Sequence, residues 1–489
     1  MMQLMQFAEW LREPRHAAAL GAGLSAAMVL RWWLQPKIER FRVVPGVWLL
    51  GVLPQLGPGG RDTAKKLDEF SDLHGDEGVF EMNLAGSRLV VCCSWEAISS
   101  VLSLRPFKVT KPGSLASAAN GVIQGVFFSE GDRWKRERRI MAPAFNAKNV
   151  GSYAPAISEI TEKFLAALDA DCKSKGETNF SELLPMYTAD VLCKTAFGQE
   201  LRMLETRDSS LVKDVHRLMD CLGTRMAIPI PYWKIPFLGR FLDGGERAAK
   251  DVGKSMVALM EKQAGHGETL VEKLRKMDGD KFTHDELVGN LEVLFAAGTD
   301  TTSQALSWAF YHLARLPELQ QALAEEVKSL PGVLTLEQLD SLQLVSAMWL
   351  ETLRVNGPAP FDFFMNQEPI QLAGRTVPRH TELWLNYRHV LKNSPEVKAK
   401  LGDDLQEFRP QRWLGPEGII KHPPFDSLFF GHGARICLGR QLADYEGKLA
   451  LAKVLQNFVL EEWTQPPLEE FTTFVVVPAT DVVIRLRRR

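Results

Sequence analysis

One long helical pattern between Thr283 and Pro317 constrains this chain more than any other stretch. Thr283 and Glu286 form a capping box ahead of Leu287, Leu291, Leu294 and Ala297, the apolar spacing continues to Leu306, and Pro317 closes the run. At roughly 1.5 Å per residue such a helix crosses an entire domain, so the rest of the chain has to be assembled around it. Helical spacing returns at 318–330 and 337–354, and again after Cys437 through Leu442, Tyr445, Leu449 and Phe458. β patterns are confined to 78–93 and to the C-terminus, where FVVVP and VVIRL flank Ala479-Thr480-Asp481 as an expected hairpin. The expected fold class is mainly α with small β-sheets.

Of the 489 residues, 45% are hydrophobic and 24% charged, a mix able to bury a large core. A net charge of -2 gives no general attraction to nucleic acid, and none is expected as a partner. Residues 17–30 (AAALGAGLSAAMVL) carry no charge, and Trp32, Trp33 and Leu34 extend them past Arg31 to nearly the roughly 20 residues that a bilayer requires. Arg31, Lys37, Arg40 and Arg42 follow against Glu39, whereas residues 1–16 balance their charges, so the positive-inside bias leaves the body cytosolic. The division expected is an N-terminal segment at 1–16, a membrane anchor at 17–34, a basic and Pro/Gly-rich hinge at 35–60, and one catalytic domain at 61–489. A cleaved signal peptide and an organelle transit peptide are the competing readings of the apolar run. The Pro-rich apolar loop IPIPYWKIPFL at 228–238 suits either core packing or the membrane surface.

Five of the six cysteines have unremarkable neighbours, and no spacing reproduces a zinc pair or a disulfide framework. Cys437 differs. In FGHGARICLG (430–439), glycines at 431, 433 and 439 let backbone approach a flat ligand, and a helix follows directly. The helix dipole and Arg435 are expected to favour its thiolate, the form a soft metal needs. The spacing F-x-x-G-x-R-x-C-x-G, met at Phe430, Gly433, Arg435, Cys437 and Gly439, resembles the cytochrome P-450 superfamily, of the eukaryotic microsomal type. That resemblance implies the P-450 fold, with haem b between the long central helix and the Cys-loop helix and Cys437 as iron ligand.

Three more segments match in family order, and the resemblance covers nearly everything from residue 61 onward. In AAGTDTT (296–302), Gly298 removes a side chain where a planar cofactor could lie, and the resemblance assigns Asp300 and Thr301 to oxygen activation and proton delivery. Mid-helix hydroxyls usually bond back to carbonyls, and that plainer reading stands for Thr299 and Thr302. Glu351 and Arg354 in ETLR, with Arg412 of FRPQRW, correspond to a structural brace near the cysteine loop. Trp134 and Arg138, four apart in WKRER, match a haem-propionate contact, with Arg435 as a further propionate partner. The family usually provides a propionate-binding arginine after ETLR, but FDFFMNQEP (361–369) contains none. Residues 388–404 also match poorly.

The resemblance implies insertion of one oxygen atom from O2 into a hydrophobic small molecule. With no FMN, FAD or iron-sulfur motif in the sequence, electrons are expected from a separate flavoprotein or ferredoxin-type donor, an NADPH-dependent reductase first. The expected location is the endoplasmic reticulum membrane, with another organelle membrane as the alternative. An oxygen-independent enzyme that rearranges hydroperoxides and a non-catalytic haem sensor are the competing functions; neither needs the Asp300–Thr301 pair. The substrate pocket is expected around 115–128, Ala297, Pro358-Ala359-Pro360 and the C-terminal hairpin.

Overall fold

The central helix forms as its sequence requires. In this computed structural model, which describes residues 41–227, 231–234, 243–262, 269–276, 281–472 and 474–489 and single positions between 22 and 34, it runs from His284 to Arg315. Thr283 Oγ1 accepts from the Glu286 N–H at 3.3 Å, and Glu286 Oε2 accepts from the Thr283 N–H at 2.9 Å. This reciprocal cap is worth about 1 kcal/mol. Pro317 opens the next helix at its first position, where a missing N–H costs nothing.

The helices that build the site are, in chain order, α1 (Thr63–His74), α2 (Gly113–Ala119), α3 (Gly131–Met141), α4 (Ala147–Lys175), α5 (Phe180–Phe197), α6 (Ser210–Ala227), α7 (Gly245–Lys262), the central α8 (His284–Arg315), α9 (Gln343–Asn356) and α10 (Arg440–Asn457). α8 packs along α5 and also meets α6, α7, α9 and α10, so it is surrounded on its length by other helices. Its residues from Ala305 to Ala314 are buried throughout, as a helix enclosed on all sides must be.

The strands are short. β1 (Val79–Leu84) and β2 (Ser87–Cys92) form the hairpin that the alternation at 78–93 encodes, turning at Ala85 and Gly86, both with positive φ. β3 (Val109–Thr110), β5 (Asp362–Asn366) and β6 (Glu382–Leu385) complete a five-stranded sheet in the order β1-β2-β6-β5-β3. β4 (Glu177–Asn179), β7 (Phe458–Leu460), β8 (Glu470–Thr472), β9 (Val476–Pro478) and β10 (Val483–Arg488) form smaller sheets. The fold is mainly α with small sheets, as the sequence indicates.

The C-terminal hairpin expected between FVVVP and VVIRL does not form. β9 pairs with β8, while β10 lies between β7 and β4, both antiparallel. Both edges of β10 are thus taken by partners distant in sequence, which local alternation cannot reveal.

Residues 41–60 run against β1, with the Val44 N–H donating to Glu81 O and the Val52 N–H to Asn83 O, and Phe41, Val44, Val52 and Leu56 buried. Residues 1–16 lie outside the described residues, as does half of 17–34. Among the described residues no helix is long and apolar enough to cross a membrane. Much of the 228–238 loop also falls outside them. Its described part packs inward, with Trp233 Nε1 donating to Ser117 O at 3.0 Å and the Tyr232 hydroxyl to Asp243 at 2.8 Å.

Candidate active site

The cysteine loop is a closed turn in front of α10. The Cys437 N–H donates to Phe430 O at 2.8 Å, and the Phe430 N–H donates to Ser427 O at 2.8 Å, which fixes both ends of the loop. Gly431 and Gly433 have φ of +79° and +69°, and a Cβ added at either would meet nothing within 4 Å. Glycine is required there by backbone conformation, and the space in front of the loop is open. Cys437 exposes its surface to that space, yet it is enclosed well inside the protein: burial pushes its thiol pKa up. The two facts together describe an internal slot with the thiol on its wall.

The expectation that Arg435 and the helix dipole leave Cys437 as thiolate is corrected here. α10 begins only at Arg440, and burial outweighs the pull of the Gly439 and Arg440 N–H groups and of a cation. That cation is Arg138. Arg435 is engaged elsewhere, donating to Ser129 O at 2.8 Å and pairing with Glu130 at 2.5 Å, its guanidinium stacked 4.1 Å over the Trp134 ring. A coordinated metal would ionise the thiol outright.

Around this slot the positive charge exceeds its partners. Trp134 and Arg138 lie on α3, as their spacing requires, Trp134 buried and Arg138 half-buried. Among the described residues no hydrogen bond or ion pair engages Arg138. Burial drives the Arg435 pKa down to about 10, and its Nε is buried without a partner. Arg105 repeats the pattern: its Nε is buried and unpartnered, and its guanidinium lies 3.9 Å over Phe364. Lys111 is buried between the rings of Phe127, Phe363 and Phe364 with Asp362 at 3.5 Å, and burial lowers its pKa. Sequence reasoning missed Arg105 and Lys111, because nothing in their local pattern distinguishes them from surface cations. Buried cations in excess of carboxylates call for an anionic ligand.

On α8, Ala297 is exposed and Thr301 half-exposed, although the helix around them is buried. The Thr301 hydroxyl donates to Ala297 O at 2.8 Å, and Asp300 is buried with His216 of α6 3.4 Å away. Gly298 has a different reason from the one expected. A Cβ there would meet Leu192 Cδ1 of α5 at 2.9 Å, so close packing of the two helices calls for the glycine. Thr299 is likewise tied to α5, its carbonyl accepting from the Thr188 hydroxyl at 2.9 Å.

Glu351, Arg354 and Arg412 come together as one buried unit. Glu351 accepts from Arg354 Nε and Nη2 at 2.8 Å each and from Arg412 Nε at 2.9 Å. The Arg409 N–H and Trp413 Nε1 add two more bonds at 2.9 Å, which sequence reasoning missed. Arg354 then donates to the carbonyls of Leu391, Leu405 and Glu407, and Arg412 to those of Leu401, Asp404 and Glu407. The brace therefore holds the whole segment from 391 to 413, including the stretch whose sequence matches poorly.

A cavity of about 470 Å³ opens beside the five-stranded sheet, lined among others by Leu89, Ser114, Ser117, Trp233, Phe361 and Phe474. It shares the 115–128 segment and the C-terminal strands with the expected pocket, but it reaches neither Ala297 nor Pro358–Pro360.

A lone thiol can hold a metal only where other ligands come from elsewhere, and among the described residues no three His, Cys, Asp or Glu side chains cluster for that purpose. The family model "Cytochrome P450" matches residues 42–485. The chain belongs to the cytochrome P450 family. Proteins of this family are by class haem-iron monooxygenases, and the chain spans about two thirds of the length of the curated relatives it matches. It is 28% identical over 372 residues to "Sterol 26-hydroxylase, mitochondrial" of Oryctolagus cuniculus, covering 69% of this chain and 66% of that protein. The Homo sapiens enzyme of the same name is 28% identical over 402 residues (75% and 72%). "Protein LUTEIN DEFICIENT 5, chloroplastic" of Arabidopsis thaliana is 24% identical over 427 residues (83% and 71%).

Proposed function

We propose that this P450 holds haem b in the slot between α8 and the cysteine loop and inserts one oxygen atom from O2 into a lipophilic small molecule. The observation that carries the proposal is the Cys437 thiol on the wall of an internal slot rimmed by buried cations in excess. Haem, when bound, supplies the oxygen-activating and electron-accepting chemistry. Cys437 is the iron ligand, its loop held by Phe430 and Gly439. Arg138 and Arg435 hold the propionates, Arg435 against Trp134, and Arg105 and Lys111 take the place of the arginine missing after ETLR. Thr301 and Asp300 hold and pass protons on the opposite wall, where the apolar face of α8 keeps bulk water away. Glu351, Arg354 and Arg412 position the loop without touching the reaction.

Electrons come from a separate donor. The two sterol hydroxylases are named as mitochondrial and the Arabidopsis protein as chloroplastic, which favours an organelle membrane and a ferredoxin-type donor over the endoplasmic reticulum and a flavoprotein reductase. The sterol named in two of these relatives, with the apolar cavity beside the five-stranded sheet, makes a sterol-sized lipid the first substrate class to screen.

The test is the reduced, carbon-monoxide-bound difference spectrum of the protein beside Cys437→Ala. A red-shifted Soret band in the parent alone is the expected result. A parent that binds no haem, or gives a histidine-like band, overturns the proposal.

A further inference from the structure

The buried carboxylate of Asp300 faces a helix that its own motif says nothing about. His216 on α6 places Nε2 3.4 Å from Asp300 Oδ1, within ion-pair reach, and that nitrogen is buried and forms no hydrogen bond. The two side chains differ in access: Asp300 is 6% exposed and His216 38%. Part of the His216 side chain is thus accessible while its Nε2 lies enclosed against the Asp300 carboxylate. One turn along α6, Asp220 also faces the pair, and burial raises its pKa, with His216 pulling it down and Asp300 pushing it up. Arg61, beside the Pro58–Gly60 turn, acts on Asp220.

We infer that His216 is the proton inlet and positioning residue of Asp300. Protonated, it holds the carboxylate by charge. In transfer, the Nε2–H bond breaks as an Oδ1–H bond forms on Asp300, and His216 then takes a replacement proton from water at its accessible part. Asp300, neighbour to Thr301 on α8, hands the first proton on, so the cycle leaves both side chains unchanged. The inference rests on the proposed function, which gives Asp300 and Thr301 their proton-handling role. Burial opposes the charge on His216, but Asp300 and then Asp220 prevail and raise its pKa above the ordinary histidine value. These two carboxylates are the only charges set against it by the described elements packed on α6. The imidazole therefore keeps its proton to higher pH than an unpaired histidine, and histidine is the side chain whose charge changes nearest neutral pH.

Two measurements test this. Histidine labelled with 13C, with His216→Gln to assign the signal, gives the His216 pKa without any turnover. Asp300→Asn is expected to lower it by about one unit; an unchanged value overturns the ion pair. In the reconstituted holoenzyme, product formed per electron consumed is followed from pH 5.5 to 8.5, a range of about three units around the histidine pKa. His216→Gln, which keeps a polar group but carries no proton, is expected to lose about tenfold in that ratio and to flatten its pH profile, with the carbon-monoxide spectrum intact. A profile identical to the parent's overturns the inlet while leaving the proposed function standing. Absence of the thiolate band in the parent overturns the proposed function instead, and the labelled-histidine titration still decides the pair.

Discussion

Glu351 is fully buried and accepts five hydrogen bonds, so its charge is matched donor by donor. Burial alone would raise its pKa, but Arg354 first and then Arg412 and the Arg409 N–H hold it below the usual carboxylate range. Removing the carboxylate leaves the Arg354 guanidinium buried without a counter-charge and Arg412 with Asp404 alone. Glu351→Ala is therefore expected to cost about 3–5 kcal/mol, read as a lower thermal midpoint and little haem-loaded protein. Trp413→Phe removes one of the five donors and keeps the ring volume, and is expected to cost about 1–3 kcal/mol, with haem content preserved. The first of these was legible in the sequence, because Glu351, Arg354 and Arg412 have fixed spacings. Trp413 and the Arg409 N–H were not, since a donor contributed by a loop leaves no periodic trace. The same limit explains Arg105, Lys111 and the finding that Arg138, not Arg435, is the cation acting on Cys437: a sequence gives the cations, but only the folded chain shows which are buried and left unpaired.

At the level of elements, helices were read well because their period and caps are local, as at Thr283–Glu286 and Pro317. Strand partners were not, because β10 is paired by β4 and β7, roughly 300 and 25 positions away along the chain. Gly298 failed for a related reason: the chain section that occupies its missing Cβ is Leu192, on another helix. One contact between elements carries a pH dependence. His312 near the end of α8 stacks on Phe408 at 3.7 Å and bonds Asn356 of α9 at 2.8 Å, joining the central helix to the braced segment. Burial lowers its pKa to about 4, so the folded ring stays neutral where an unfolded one is protonated. Its contribution is complete above about pH 6.5 and is lost as pH falls towards 4, on the order of 3 kcal/mol over that window. His312→Gln is expected to flatten the parent's fall in thermal midpoint between pH 6.5 and 4; the same slope in both proteins would remove His312 as its source.

Across the whole molecule, apolar surface gathers beside the five-stranded sheet. Trp33 and Trp48 are 74% and 81% exposed, with Leu30, Leu34, Val43 and Val47 also exposed. Two separate segments approach the turn between β1 and β2: the Met28 carbonyl sits against Gly86, and Gly51 sits against Asn83. The cavity beside the sheet begins at the same edge, with Met28 and Leu56 among its lining residues. An apolar apron of this kind, at the mouth of an apolar cavity, suits a lipid surface that delivers the substrate. The anchor expected at 17–34 would add to the same attachment. The full chain is therefore expected to float with liposomes in a density gradient. A chain lacking residues 1–34 should float less, and adding Trp48→Ser to it should leave it in the dense fraction. If the shortened chain floats as well as the full one and Trp48→Ser releases it, the apron alone is the attachment. If the full chain stays in the dense fraction, neither segment meets a membrane and the apolar cavity is filled from solution.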